Sequence, residues 1–400
     1  VANPASYANL GAPTFDVGLS TSYLRLTSGD AVQDNSDAYF RYAALAIPLM
    51  TRQPAKKKRL GFAFGVLPYS KVGYTVLQPD SLLSGDQVTY RYDGEGGVSQ
   101  IFLGGGMDFR LDTGNVHRMG VGFNATYMFG PIDQTRLVLF DDQTANGLNT
   151  RILQALTIRD LYFDFGLNYS WEISRLPETQ EARAEGRSVI LGAALTFAPQ
   201  QAVATETRNF IAATSGELGT EFVRDTLLDV EDKGDLTIPL KIGGGLSLQV
   251  YDQWLFALDF TSQNWANYEV LGVNQGLSSR NEIAFGAQFR PDAEAPAREF
   301  FKLMQYRAGV RFADTRLKVN GENLGEYGIN FGLGIPLVRS GVDPRMIRKG
   351  VVSAIQIGVE FGQRGRNSDG LIREQFFNVN VGFSFAPNKF DQWFRKRRID

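Results

Sequence analysis

In 374–385, EQFFNVNVGFSF, every odd position from Phe377 onward is large and apolar: Phe377, Val379, Val381, Phe383 and Phe385. The even positions Asn378, Asn380, Gly382 and Ser384 are small or polar. A period of two marks a β-strand with two chemically different faces. The alternation recurs at 160–171, where Leu161, Phe163, Phe165, Leu167, Tyr169 and Trp171 oppose Asp164, Gly166, Asn168 and Ser170. It recurs at 327–337, with Ile329, Phe331, Leu333 and Ile335 set against Asn330, Gly332 and Gly334. Two such strands alone would fit a soluble sandwich. Many long ones, with Gly, Asn, Ser and Asp on one face and aromatics on the other, read as a barrel turned inside out. Its apolar face meets lipid and its polar face lines a lumen. The expected fold class is all-β: a transmembrane antiparallel β-barrel in the cell outer membrane.

Composition agrees. Four hundred residues would ordinarily be shared between two or more soluble domains, but a large barrel uses them in one. The 43 glycines and 12% aromatics suit close lumen packing and interfacial girdles. There is no cysteine, hence no disulfide framework and no thiolate metal site. Uncharged apolar runs such as 42–50 reach only half of the ~20 residues a helical span needs. The net charge of −2 and the lack of a basic stripe give no footprint for nucleic acid. Val1 is not followed by a signal peptide, so a mature or trimmed form is expected.

Periodicity and polar breaks place strands near 14–26, 38–50, 60–78, 86–110, 118–142, 152–174 and 187–213. Seven more fall near 236–251, 253–270, 279–290, 303–317, 325–338, 351–364 and 371–386. About fourteen strands, an even number, put both termini on one side. The connections at 27–37, 79–85, 143–151, 214–235, 271–278, 318–324 and 365–370 share the far side. In bacterial barrels long loops are extracellular and turns periplasmic, so the loop 214–235 belongs outside and the turn 251–253 inside. Residues 1–12 would be an N-terminal hatch remnant, 13–386 the barrel, and 387–400 a basic periplasmic tail. The strands at 86–110, 118–142, 152–174 and 187–213 exceed the ~10 residues a membrane requires and should project beyond it.

One strand breaks its own parity. Val88, Tyr90, Tyr92 and Val98 are even, whereas Ile101, Leu103, Met107 and Phe109 are odd. A switch of parity needs an inserted residue, so a bulge is expected between Gly94 and Gln100, at Gly94-Glu95-Gly96-Gly97. The neighbouring strand 60–78 carries Pro68, which removes a ladder donor and marks an edge or a break. Two adjacent strands interrupted at similar depth would open a route between lumen and bilayer.

With these residues in view, the chain resembles the FadL/TodX family of outer-membrane transporters for long-chain fatty acids and hydrocarbons. The resemblance covers nearly the whole chain. It rests on Asn3-Pro4-Ala5 before the first strand, LPYSKVGY at 67–74, GEGGVSQIFLG at 94–104 and NATYMFG at 124–130. Further support comes from DFTSQNW at 259–265 and the closing GVEFGQRG and WFRKRR segments. It implies a monomeric barrel plugged by an N-terminal hatch, with a kinked third strand through which hydrophobic ligand leaves sideways into the membrane. It also implies that Asn3, Pro4 and Ala5 lie near that kink, by the strand 60–78. Only about a dozen residues precede the first strand where the family has several tens. The expectation is therefore a truncated hatch or one replaced by another chain.

Candidate ligand and gating residues are Asn3, Pro4, Ala5, Pro68, Arg91, Gly94, Glu95, Gly96 and Gly97, each with a plainer reading. Glycines 94–97 read equally as a purely structural bulge. Arg91, Asp93, Glu95 and Glu360 share lumen parity, where charges ordinarily pair with one another or face water. The runs Lys56-Lys57-Lys58-Arg59 and Arg395-Lys396-Arg397-Arg398 read as solvated turn and tail touching anionic headgroups. Trp254, Trp265 and Trp393 suit interfacial belts. Acidic Asp141-Asp142 and Asp229, Glu231, Asp232 and Asp235 suit outer loops that are solvated, or bridged by divalent ions to lipopolysaccharide. The only histidine, His117, falls in a periplasmic turn with no serine–carboxylate set around it, so neither catalysis nor a cofactor is expected. Three functions remain: uptake of a hydrophobic small molecule with lateral release, an accessory barrel of a secretion or other outer-membrane machine (the PorV branch) engaged by a partner chain, and a polar porin. Lumen faces rich in Gly, Ser, Asn and Thr disfavour the porin.

Overall fold

The computed structural model describes residues 3–49, 58–81, 87–112, 114, 116–140, 148–173, 188–215, 221–293, 295–319, 322–337, 352–367 and 371–386. Six traverses come first: β1 (Thr14–Ser28), β2 (Ala31–Pro48), β3 (Lys58–Pro68) continued by β4 (Tyr74–Ser81), β5 (Gln87–Gly96) continued by β6 (Ser99–Arg110), β7 (His117–Phe140) and β8 (Asn149–Ile173). Two further broken traverses follow, β9 (Val189–Ala198) with β10 (Gln201–Ser215), and β11 (Phe222–Ile238) with β12 (Lys241–Val250). The rest are β13 (Trp254–Gln263), a small finger of β14 (Glu269–Val270) and β15 (Val273–Asn274), then β16 (Arg280–Phe289), β17 (Gln305–Val319), β18 (Glu322–Pro336), β19 (Ala354–Arg364) and β20 (Arg373–Phe385). Every pairing is antiparallel, and β1 closes on β20 from Phe15↔Phe385 to Thr27↔Arg373. The result is a closed fourteen-traverse barrel of the outer-membrane kind. Among the described residues no helix is long and apolar enough to cross a membrane; the crossing is made by strands.

The faces follow the alternation. Phe383, Phe163, Phe165, Leu167, Phe331 and Leu333 are exposed on the outside, whereas Asn380 accepts from Ser20 Oγ at 2.8 Å and Asn124 donates to Asp164 at 2.8 Å within the lumen. Val381 pairs with exposed Leu19 and Ile357 in the outer band. Val381→Lys is expected to cost about 2–4 kcal/mol if it lies at the bilayer midplane. Asn380→Lys should be much milder; urea titration in lipid vesicles that found Asn380 the more damaging site would overturn this assignment of faces.

Two expected outer loops are strands instead. β2 begins at Ala31 rather than 38, leaving only a tight turn at Gly29-Asp30. Most of 214–235 is β11, which runs from Phe222 and pairs with β10. Polar, charged composition reads as a loop by pattern, but a hairpin standing in water is polar on both faces. Beyond the apolar band, β4, β5, the upper parts of β7 and β8, β10 and β11 form one sheet that projects past the barrel wall. Arg208 clamps it by donating to Asp229 at 2.8 Å through two nitrogens, and that hydrogen bond holds the exposed Asp229 carboxyl below its usual range. The basic tail 387–400, Lys56-Lys57, Asp141-Asp142 and Trp393 lie outside the described residues.

Candidate functional site: a gap in the barrel wall

On β1 the outward apolar face runs from Phe15 to Tyr23, whose partners on β2 are Leu45 and Ser36. The other edge of β2 pairs with β3 only from Ala43↔Val66 to Pro48↔Gly61. Above that point β3 ends at Pro68, the chain turns through 69–73, and β4 pairs with β5 alone. No backbone hydrogen bond joins 36–42 to 69–81. The open edge of β2 therefore lies within the outer half of the apolar band. Alternate residues of a strand turn to alternate edges, so about half the N–H and C=O groups of 36–42 face this gap.

The opposite side of the kink keeps its ladder. Tyr69 N and Ser70 N donate to Val98 O at 2.7 and 3.1 Å, Val98 N donates to Ser70 O at 3.1 Å, and Val72 N donates to Gly96 O at 3.0 Å. The backbone leaves the strand between β5 and β6, with Gly96 at φ +96° and Gly97 at φ +153°, but the expected inserted residue is absent: from Gly96↔Ile132 to Ser99↔Phe129 the register against β7 is unbroken. A side chain at either glycine would be strained and would collide with Pro131 O or Ser70 O. Proline and glycines thus bend two neighbouring traverses together, away from β2. Gly94 stacks against the Tyr74 ring, and Glu95 is exposed opposite Asp133. Arg91 pairs with Asp93 at 2.7 Å on β5, one strand away from the gap. Val88 and Val98, grouped by parity with the outward residues, are each 2% exposed. Val98 turns inward by plain alternation with the exposed Ile101 and Leu103, since no inserted residue reverses the face there.

The gap is bridged by side chains from the kink. Lys71 Nζ forms an ion pair with Asp37 Oδ2 and lies 4.8 Å from the centroid of the Tyr39 ring. Inside, Tyr69 packs on a buried apolar cluster of Val98, Met128, Ile158, Tyr162, Val203, Leu236 and Ile238. Trp265 is buried beneath Arg316 at 4.5 Å and is not an interfacial belt residue, because its loop folds inward beside Tyr268. A comparable break between β9 and β10 is sealed. Phe163 N donates to Gln201 Oε1 at 2.8 Å, Gln201 Nε2 donates to Phe163 O at 2.9 Å, and Ala204 N donates to Asp160 Oδ2 at 2.8 Å. There an amide and a carboxylate replace the missing backbone partners; at β2 nothing among the described residues does.

The N-terminal segment lies lower. A 3₁₀ helix, Pro4–Asn9, is capped by Asn3, whose Oδ1 accepts from Ala5 N at 2.9 Å while its Nδ2 donates to Leu167 O at 2.9 Å. It rests on Gly61, Gly106, Gly122 and Gly166, which are successive cross-strand partners on β3, β6, β7 and β8. A Cβ on any of the four would collide with Tyr7 O, Pro4 O, Ala5 N or Asn3 Oδ1 respectively. Tyr7, whose hydroxyl donates to Asn124 Oδ1 at 3.0 Å, is the residue against β3. Asn3-Pro4-Ala5 lies across β6 to β8 instead of by the kink, which is seven residues, or about 23 Å, further along β3 from Gly61.

The far wall is charged, contrary to the expected Gly, Ser, Asn and Thr lining. Arg311 joins Glu326 at 2.5 Å and Glu360 at 2.6 Å; Arg364 joins Glu326 at 2.6 Å and Glu374 at 2.9 Å. Glu360 thus pairs as a lumen charge should. Glu326, buried between two guanidiniums, is the keystone. Glu326→Gln should cost roughly 3 kcal/mol by leaving two cations short of a counter-charge. Unchanged urea resistance, followed by the heat-modifiable gel shift of barrels, would disprove that role.

A family model described as BamG matches residues 1–400. No curated protein sequence matches the chain. Among solved structures it is similar to the Pseudomonas putida toluene transporter TodX (TM-score 0.54, 12% identity, 97% of this chain and 94% of that one). It is also similar to the Ralstonia pickettii toluene transporter TbuX (0.53, 13%, 96% and 92%) and to a Pseudomonas aeruginosa FadL homologue (0.53, 10%, 96% and 92%). At such identities the likeness is one of fold: a FadL-type barrel.

Proposed function

The chain belongs to the BamG family, and from that premise we propose that it takes up hydrophobic small molecules and releases them sideways into the bilayer. The carrying observation is the unpaired edge of β2 at 36–42, facing a kink within the outer half of the apolar band. A hydrophobic solute gains nothing by crossing to the periplasm through water; leaving through the wall keeps its apolar surface out of water throughout. The inward apolar cluster offers the first surface inside the mouth, and Tyr69 links it to the kink. Pro68, Gly96 and Gly97 hold the kink open. The segment from Asn3 to Asn9 acts as a plug on the glycine row, so that solute has no path straight through. Named relatives in fold, TodX and TbuX, are described as toluene transporters, and the ligand class proposed here is that of an apolar hydrocarbon or long-chain acid. The test is uptake of radiolabelled toluene and oleate by cells with and without the gene. Equal rates for both compounds would remove the reading.

A second reading draws on the same edge. Lipid cannot satisfy backbone groups, and irregular backbone is tolerated at membrane depth only where it borders protein or a water-filled cavity. An extended segment of a partner chain laid against 36–42 would satisfy them, as in an accessory barrel of an outer-membrane machine. A photo-crosslinking residue at Ala38 separates the two: adducts to polypeptide support the accessory barrel, and adducts to lipid alone support uptake.

A further inference from the structure

The traverses that carry the projecting sheet have their backbone breakers at one level. β3 ends at Pro68 and β4 resumes at Tyr74; β5 and β6 part at Gly96 and Gly97. β7 holds Gly130 at φ +140°, followed by Pro131. β9 and β10 part at Pro199, and β11 and β12 at Pro239. Register sets these breaks side by side: Pro68 faces Ser99, Ser99 faces Phe129, Gly130 faces Ile158, Ile158 faces Thr205, and Gln201 faces Ile238. β8 crosses the line unbroken, but there the side chains of Gln201 and Asp160 stand in for its ladder. Proline removes ladder donors and glycine adds backbone freedom, so a row of them across neighbouring strands is a line along which a sheet can fold.

Beyond that line the sheet is tied to the rest of the wall at two corners. One is the Lys71–Asp37 ion pair; the other is β14 with Leu271, set against 235–237. The buried apolar cluster lies on the inward side of the line and is shared between the two parts. Ile132, Leu156, Val203, Leu236 and Ile238 belong to the projecting sheet, and Met128, Tyr162 and Ala198 to the wall. A tilt of the sheet would pull these two groups apart.

We propose that the projecting sheet is a hinged lid on the lumen mouth, and that the cluster is a clasp opened by the apolar solute itself. With water in the lumen, parting the clasp exposes apolar surface, so the lid stays closed. A hydrophobic solute that covers the parted faces binds the open lid alone. A ligand shifts an equilibrium by its differential affinity for the two states, so such a solute opens its own way in. A polar solute gains nothing from those faces and leaves the lid shut. The inference deepens the uptake reading by naming what admits the solute, yet the motion can be measured without transport.

The chain has no cysteine, so spin labels at Asp225→Cys on β11 and Gln375→Cys on β20, both exposed, report the lid against the wall. Asp225 stands about 40 Å of strand beyond Pro239, so a tilt of about 15° carries it roughly 10 Å. Labels at Leu246→Cys and Phe383→Cys, both exposed on the wall below the line, are the control. Pulsed electron paramagnetic resonance in nanodiscs should give one dominant lid–wall distance in buffer. Toluene should add a population displaced by about 10 Å, and glycerol at the same concentration should add none. Val203, fully buried in the clasp, becomes a hydroxyl of the same shape in Val203→Thr, so the displaced population should appear there without toluene. The heat-modifiable gel shift reports folding of each variant. A lid–wall distance that toluene leaves as fixed as the control overturns the lid. Displacement by glycerol, movement of the control pair, or a Val203→Thr distribution identical to wild type overturns the clasp. Toluene-driven displacement beside equal cellular uptake with and without the gene removes the uptake reading and leaves the lid.

Discussion

Gly122→Val is expected to drive the N-terminal segment out of the lumen and turn a closed barrel into a conducting one. The new Cβ would collide with the backbone at Pro4 and Ala5, which cannot yield as a flexible side chain could. Valine itself suits a strand, and Gly122 pairs with Gly106 and Gly166, so the wall should still assemble. The strain therefore falls on the segment. Overpacking of this kind costs about 1–3 kcal/mol, set against a short helix that buries only Pro4, Ala5, Tyr7 and Ala8. Planar-bilayer recordings should show a clear rise in single-channel conductance. Gly286→Val is the control: it adds the same atoms to another barrel glycine, whose Cβ would meet nothing nearer than Ala308 O at 3.9 Å. Equal conductance in the two variants would remove the plug role.

The difference between those two glycines shows what a sequence carries and what it withholds. Strand identity is local. The alternation in 374–385 or 160–171 reflects one strand between two solvents, and it can be read without knowing any neighbour. The break at Pro68 is local as well and appears where the pattern puts it, whereas the parity of 88–109 misleads: glycines 96 and 97 kink the strand, but its register against β7 holds no inserted residue. The glycine row is not local. Gly61, Gly106, Gly122 and Gly166 become a surface only through the register of four strands, and no spacing in the chain foretells their alignment. The same holds for Arg311, Glu326, Glu360 and Arg364, which sit at inward positions of three strands and meet across them. Their inward parity was a usable signal, since a charge facing inward requires a partner; which partner depends on register. Trp265 and the 214–235 segment depart from expectation because aromatic and polar composition says nothing about whether a loop folds inward or continues as a hairpin in water.

Tying the kink to β2 should abolish lateral release. Asp37 and Lys71 are the natural pair for this, since their side chains already meet across the gap and Tyr39 lies beneath the ammonium. The ion pair is about half exposed, and such a pair contributes at most about 1 kcal/mol in water. It can hold the kink against β2 only weakly, which is what a gate that opens for each passing molecule requires. Asp37→Cys with Lys71→Cys, joined by a bis-methanethiosulfonate cross-linker, replaces that weak contact by a covalent strap. The chain has no cysteine of its own, so nothing else is labelled. Uptake of labelled oleate should fall to background in the cross-linked protein and return when reductant cleaves the strap. Single Cys variants treated the same way should transport normally. If complete cross-linking leaves uptake unchanged, the molecule leaves by another path and the gap is an edge for a partner chain instead. Asp37→Lys with Lys71→Asp sharpens the point. The exchanged pair restores the contact with reversed sign and should behave as wild type, whereas either single exchange puts like charges face to face, loosens the kink and raises basal leakage of apolar dye into the bilayer.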